Sequence, residues 1–310
     1  MLPVGPVAAI DCGTNSTRLL VADWRGRPLD RQMRITRLGQ GVDATGALSP
    51  EAIDRCVAVL NEFRAVTDRL GVVRGRLVAT SAVRDSSNGH EFLAAAGAAT
   101  GFEPELLSGT DEGRLSMAGA VAELDPADGP FLVLDIGGGS TELVVGSGPD
   151  DLALESVSLQ VGCVRITERF LRSDPPTAAQ LAEAEAIVAT LLEWAVAHHP
   201  RILDARRLVG LAGTVTTLVS LNQGLDQYDR DKVHHAALTL DEATAWYRTL
   251  AGELCAARLD RAGMVPGRED VIVGGALVLV AVMQRLGFEQ CLVSEADILD
   301  GMVAGLLASG

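Results

Sequence analysis

Lysine is almost missing from this chain: 25 of its 26 basic residues are arginine, and Lys232 stands alone. A P-loop needs a lysine after its glycines, so Walker-type nucleotide binding is excluded. Aromatic residues are also scarce, at 4 %, while 48 % of the chain is apolar. The core must therefore be built from Ala, Val and Leu, in a globular and not a disordered chain. The five cysteines, at 12, 56, 163, 255 and 291, are odd in number and form no C-x-x-C pair. Reduced thiols in a cytosol is the economical reading. The longest apolar run, Val271 to Met283, is too short to cross a bilayer and is closed by Asp270 and Gln284. Met1 to Ile10 has no basic stretch and runs straight into Asp11, so no secretory signal is expected. A cytoplasmic protein with no membrane association is expected. No Gly-x-Ser-x-Gly elbow occurs, so acyl hydrolysis is not supported. The five histidines include the pairs His198-His199 and His234-His235. Neither pair has H-E-x-x-H spacing or a cysteine partner, so a structural zinc is not expected.

Positive charge is short overall. The net charge is −15, of which −2 falls on residues 1–124 and −13 on residues 125–310. Nucleic-acid binding wants a basic stripe, so it is not expected. A polyanionic substrate is still allowed, because a cleft can be locally positive and a metal can neutralise phosphate.

What is present is a repeat. Asp11-Cys12-Gly13-Thr14-Asn15-Ser16-Thr17-Arg18-Leu19-Leu20-Val21 lies in register with Asp135-Ile136-Gly137-Gly138-Gly139-Ser140-Thr141-Glu142-Leu143-Val144-Val145. Each copy follows an apolar run and leads into alternating apolar residues, which reads as strand, tight polar turn, strand. Backbone N–H groups and hydroxyls in such turns, Gly13 to Ser16 and Gly137 to Thr141, are the donors that cradle phosphate. Glycine lets the backbone approach an anion closely. Asp11 and Asp135, closing the preceding strands, can hold a metal ion or its water. A flexible linker would not sit between two β-rich runs. A dinucleotide fingerprint would need a helix straight after the glycines, where Glu142 to Val145 reads as strand. Two copies imply a phosphate-handling cleft between two similar domains.

At 310 residues two domains are expected, 1–125 and 126–310, with Asp125 to Pro130 as hinge. The first half reads as strands near 7–11, 16–23 and 29–38, helix 50–70, strand 76–80, helix 89–99, strand 103–107 and helix 111–124. The second half repeats the order with strands 131–136, 141–146 and 152–160. Helices follow near 164–171, 177–197, 214–222 and 241–258, with a strand at 207–211. Helix 270–286, strand 290–294 and helix 296–308 complete the chain, and the last helix is a candidate to pack back on the first domain. Three strands followed by alternating helix and strand, twice over, is a duplicated ribonuclease-H-like α/β fold.

Three further segments could carry chemistry. Thr80-Ser81-Ala82-Val83-Arg84-Asp85 follows a strand, where hydroxyls and a guanidinium suit phosphate, although an ordinary surface loop would look the same. Ser108-Gly109-Thr110-Asp111-Glu112 opens a helix. Acids there usually complement the helix dipole, yet an ionised carboxylate could orient water for phosphoryl transfer. Gly210-Leu211-Ala212-Gly213-Thr214 leads into a helix whose N-terminus could bind an anion, or could be plainly capped by Thr214.

Taken together with Val161-Gly162-Cys163-Val164-Arg165-Ile166-Thr167-Glu168, these segments resemble the exopolyphosphatase/guanosine pentaphosphatase (Ppx/GppA) family, in the family's order and over nearly the whole chain. The resemblance implies the actin-like ATPase superfamily fold. It also implies Mg²⁺-dependent hydrolysis of terminal phosphates from inorganic polyphosphate, or of the 5′ γ-phosphate from pppGpp. Mn²⁺ and a monovalent cation are further cofactor candidates, and a homodimer is a candidate assembly. By the family's pattern Glu112 orients the attacking water and Asp135 and Glu142 hold the metal. The residues Gly13, Thr14, Asn15, Ser16, Arg84, Gly137, Gly138, Gly139, Ser140 and Thr141 would bind phosphates, with Gly213 and Thr214 beside them.

Two departures stand out. Many members read Leu-Arg-Glu-Gly where this chain has Ile298-Leu299-Asp300-Gly301, so an anion contact from the second domain is expected to be weaker. The helical C-terminal domain of long members has no counterpart in these 310 residues. Exopolyphosphatase is the first reading and pppGpp phosphohydrolase the second. A kinase of the same superfamily would want its general base elsewhere, and a non-catalytic sensor would not need Glu112, Asp135 and Glu142.

Overall fold

The computed structural model describes residues 5–148, 151 and 153–309. In chain order the elements are β1 (Val7–Cys12), β2 (Ser16–Ala22), β3 (Pro28–Ile35), α1 (Val42–Thr45), α2 (Pro50–Arg69), β4 (Arg74–Ala79), α3 (Ser81–Arg84), α4 (Gly89–Thr100), β5 (Pro104–Leu106) and α5 (Gly109–Ala120). Then come β6 (Phe131–Ile136), β7 (Thr141–Gly146), β8 (Glu155–Leu159), α6 (Cys163–Phe170), α7 (Ala178–His198), β9 (Arg207–Leu211), α8 (Ala212–Asn222), α9 (Arg230–Val233) and β10 (Ala237–Thr239). Last are α10 (Leu240–Ala251), α11 (Cys255–Leu259), α12 (Ile272–Leu286), β11 (Gln290–Val293) and α13 (Ile298–Ala308). Packing divides them into unit 1, up to Gly119 and again from Asp297, and unit 2, Ala120–Ala296.

The two sheets have one plan. Unit 1 has the order β3-β2-β1-β4-β5, and unit 2 the order β10-β11-β9-β6-β7-β8. In each, three antiparallel strands are followed by strands running parallel to the first: β4 beside β1, and β9 beside β6. The ribonuclease-H-like topology is therefore present twice, unit 2 adding the antiparallel edge strand β10. Strands β1 and β6 are buried along their whole length, as central strands covered on both faces must be. Local signals set the helix ends. At the start of α2 the Ser49 side chain accepts the Ala52 N–H ahead of Pro50, and beyond its end Gly71 takes a left-handed φ of 65°. No helix among the described residues is long and apolar enough to cross a membrane.

Alternation along the unit 1 strands shows where α13 belongs. Ala8, Ile10, Leu19, Val21 and Leu77 join Cys56, Leu60 and Phe63 of α2. Their neighbours Val7, Ala9, Leu20, Ala22 and Val78 pack with Ile298, Leu299, Met302 and Val303 of α13. The sheet thus has two apolar faces and needs a helix on each. The division at Gly119 and Asp297, not at 125/126, follows from this packing, since turn residues mark only where the chain bends. Leu299 is 1 % exposed within that core. Its position belongs to unit 1, which corrects the expectation of a weakened anion contact from the second domain.

Other expectations also shift. The helix expected over 241–258 is broken into α10 and α11, because Gly252 ends the first and the Asp174 carboxylate accepts the Cys255 N–H at 2.9 Å to start the second. The buried Arg258 reinforces the break by donating to the carbonyls of Leu250, Glu253 and Glu269. The helix expected over 111–124 ends at Ala120. Residue 152 of the strand expected over 152–160 lies outside the described residues, and the strand observed is Glu155–Leu159.

Helices α5 and α13 cross at glycines. A Cβ on Gly301 would overlap the Leu115 carbonyl, and one on Gly119 would overlap the Asp297 carbonyl. Gly301→Ala should therefore destabilise the protein by about 1–3 kcal/mol, the usual range for overpacking. Gly305→Ala, on the same helix with nothing near its Cβ, should be neutral or mildly stabilising. Denaturant midpoints of the two variants check this; equal midpoints would mean the crossing is not tight.

Candidate active site

The two copies of the repeat fold into the same turn. Gly13 N–H donates to the Ser16 carbonyl at 3.0 Å, and Gly137 N–H to that of Ser140 at 3.0 Å. A Cβ on either glycine would come within 3.1 Å of that carbonyl oxygen. In unit 1 the Thr14 carbonyl accepts from Gly39, and the Asn15 carbonyl from Thr36 and Arg37. In unit 2 the Gly137 carbonyl accepts from Cys163, and that of Gly138 from Val164 and Arg165 at the start of α6. Across a trans peptide the C=O and the next N–H point in opposite directions. The N–H groups of Asn15 and Ser16, and those of Gly138 and Gly139, are thereby turned away from these loops. Oriented amides of this kind make an anion-binding concavity. Gly162 allows the close approach, since a Cβ there would lie about 2.5–2.6 Å from the Gly137 and Gly138 carbonyl oxygens.

Beside the turns the copies differ in charge. Asp11 pairs directly with Arg18 across the β1–β2 ladder, and Asp135 with Glu142 across β6–β7. Arg18 Nη2 lies 2.6 Å from Asp11 Oδ2, and its Nη1 lies 2.5 Å from Asp297 Oδ2. Burial raises the Asp11 carboxyl above its ordinary range, and the Arg18 guanidinium opposes that rise. Asp11 Oδ1 is buried without a hydrogen-bond partner among the described residues. In unit 2 two acids stand opposite one another, Asp135 at 6 % exposure and Glu142 at 0 %. Glu142 Oε1 accepts the Ser158 hydroxyl at 2.7 Å. These opposed carboxylates are the kind of oxygen ligand that a hard divalent cation takes. The donor set of unit 2 fits Mg²⁺, whereas unit 1 has placed an arginine where the second acid stands.

Arg84 and Glu112 come together within unit 1. Arg84 Nη1 donates to the Leu107 carbonyl at 2.8 Å and stands 3.5 Å from Glu112 Oε2. Its Nη2 is buried with no hydrogen-bond partner among the described residues. Glu112 lies in the first turn of α5, its N–H bonded to the Ser108 carbonyl at 2.9 Å, and Ser108 Oγ accepts the Asp111 N–H at 3.1 Å. Serine and aspartate thus serve the helix start, while Glu112 faces Arg84.

The remaining expected residues divide. Ser140 and Thr141 are buried, and the Thr141 hydroxyl donates to the Val161 carbonyl, so that proton is spent inside unit 2. Gly213 and Thr214 lie in the first turn of α8, after Ala212 in a left-handed conformation (φ 66°). A Cβ on Gly213 would overlap the Arg268 guanidinium. Arg268 therefore adds a cation to this helix start, and nothing in Gly267-Arg268-Glu269-Asp270 distinguishes it in sequence. Ser158 is equally invisible there, being 16 residues from the carboxylate it serves.

A model of the Ppx/GppA phosphatase family matches residues 21–309. The protein named Exopolyphosphatase 2 from Mycobacterium tuberculosis is 45 % identical, with 97 % of this chain and 98 % of that protein covered. A crystal structure of the Aquifex aeolicus family member superposes with a TM-score of 0.80 at 30 % identity, covering 99 % of each chain. A guanosine-5′-triphosphate,3′-diphosphate pyrophosphatase from Photobacterium profundum is 30 % identical, over 99 % of this chain and 60 % of that protein. With both repeated turns, the opposed acids and the helix-start glutamate in the family's order, the chain belongs to the Ppx/GppA phosphatase family.

Proposed function

We propose that this chain is a metal-dependent exopolyphosphatase, releasing orthophosphate from the ends of inorganic polyphosphate. The opposed Asp135–Glu142 pair beside the Gly137–Gly139 turn carries this reading, because it joins a cation position to oriented amides. Mg²⁺ held by these two carboxylates would neutralise charge on the phosphoryl oxygens. The N–H groups of Gly138 and Gly139 in unit 2 would donate to phosphate oxygens, as would those of Asn15 and Ser16 in unit 1. Glu112 accepts a hydrogen bond from the attacking water and takes its proton. The water oxygen bonds to the terminal phosphorus as the anhydride P–O bond breaks, leaving orthophosphate and a chain one unit shorter. Arg84 holds Glu112 in place and offers Nη2 to an anion. A cytoplasmic location, with Mg²⁺ or Mn²⁺ as the divalent cation, belongs to the same proposal.

Short chains should be preferred to very long ones and to pppGpp. Residues 125–310 carry −13, which repels a long polyanion extending over them. Surface charges are screened beyond about 8–10 Å at moderate ionic strength, so salt should raise activity on long chains relative to short ones. Specificity constants for tri- or tetraphosphate, a chain of hundreds and pppGpp at two salt concentrations test this. A pppGpp constant above all the polyphosphate values would make the guanosine nucleotide the substrate, the activity in the name of the Photobacterium profundum relative.

A further inference from the structure

We propose that Glu123, His234 and His235 bind a divalent cation of the zinc class, using residues different from those assigned to Mg²⁺. The spacing of the histidines gives no hint of this, because the carboxylate comes from 111 residues upstream. The three ligand atoms lie within 4.8 Å of one another. His234 Nε2 and Glu123 Oε2 are already 3.1 Å apart, close to the roughly 3.3 Å between ligands of a tetrahedral site with bonds of about 2.0–2.1 Å. His235 completes the group through its backbone. It holds a left-handed φ of 60°, uncommon for a residue with a side chain, while its N–H donates to the Val293 carbonyl. The two rings are consequently stacked, with centroids 3.8 Å apart and planes inclined by 27°.

The donor chemistry selects the metal. Two imidazoles and one carboxylate suit zinc, cobalt or nickel, while Mg²⁺ prefers oxygen ligands throughout. Ligation needs neutral imidazole and ionised carboxylate. The exposed Glu123 carboxylate is ready to ligate. The charged neighbours are Arg230 and Glu295, which pair with each other at 3.6 Å. His234 Nδ1 accepts the Glu295 N–H at 3.0 Å, so the proton of the neutral ring sits on Nε2, toward Glu123. A metal at Nε2 requires that proton to move to Nδ1, giving up the Glu295 bond. Occupancy is therefore reported by the Glu295 amide, only two residues before the chain passes from unit 2 into unit 1.

Untagged full-length protein, kept in Mg²⁺, is titrated with Zn²⁺ by calorimetry and with Co²⁺ by absorption. One equivalent should bind, without a thiolate charge-transfer band. Loss of a supporting group around a metal typically costs 10–100-fold, so His235→Ala, and the double variant with His234→Ala, should weaken binding by at least about 100-fold. Glu123→Gln should weaken it by about tenfold, and His198→Ala/His199→Ala should leave it unchanged. His235 is exposed, so its single variant keeps the test valid even if the double variant folds poorly. Polyphosphate hydrolysis in Mg²⁺ alone should be unaffected in His235→Ala. Absence of stoichiometric binding in the parent, or equal binding by His235→Ala, would overturn the site.

Discussion

Glu112→Gln should lower the turnover number about 10²–10⁴-fold, the range expected on removing a positioned proton-handling group, while thermal stability should stay close to that of the parent. The substitution keeps the shape of a buried side chain and leaves the helix start intact, because Ser108 and not Glu112 caps it. Its contact with Arg84 is long, at 3.5 Å. At that length it is at the outer limit of a hydrogen bond, so the amide, which has the same shape, gives up little there. Substrate binding should persist, because the amides and Arg84 are untouched, so the loss should fall on kcat and spare KM. Phosphate release near the parental rate would remove Glu112 from the mechanism.

Asp135→Asn and Glu142→Gln should each abolish most activity and shift the Mg²⁺ requirement upward together, by about 10–100-fold. A neutral amide is a poor ligand for a hard cation. Asp11→Asn is the informative contrast. Its counterpart across the ladder is Arg18, 2.6 Å away, so a cation is already present there. Its Mg²⁺ titration should overlay the parent, and its cost should appear as lost stability of about 1–3 kcal/mol, typical of a charged hydrogen bond. Titration of released phosphate against Mg²⁺, beside denaturant melts, separates the cases. If Asp11→Asn shifts the metal curve as far as Asp135→Asn does, Asp11 belongs to the metal set, through the buried Oδ1. If neither variant shifts it, the metal is held by other residues.

Local chemistry decided by near neighbours could be read from the chain alone. Strand alternation, the Ser49–Pro50 helix start and the polar turns within Asp11–Val21 and Asp135–Val145 all involve residues a few positions apart. Their hydrogen bonds and periods depend on little else, and so the duplicated α/β plan and most proposed phosphate ligands were visible at once. The packing of the last helix on the first domain was a candidate in sequence, and the structure places α13 there. That packing depends on which face of the first sheet is left bare after α2 has packed, and only the folded chain brings Leu299 to Val7 and Ala9. The break between α10 and α11 similarly waits on Asp174, 81 residues from Cys255. Arg268 at Gly213, Ser158 at Glu142 and Glu123 at His234 are likewise meetings of distant segments, for which no spacing rule exists. Sequence determined the elements, the turns and the kinds of group the chemistry needs. Tertiary structure decided which distant groups meet the acids of the repeat and their partners, Asp297 at Arg18 and Ser158 at Glu142, because such contacts are set by packing and not by spacing.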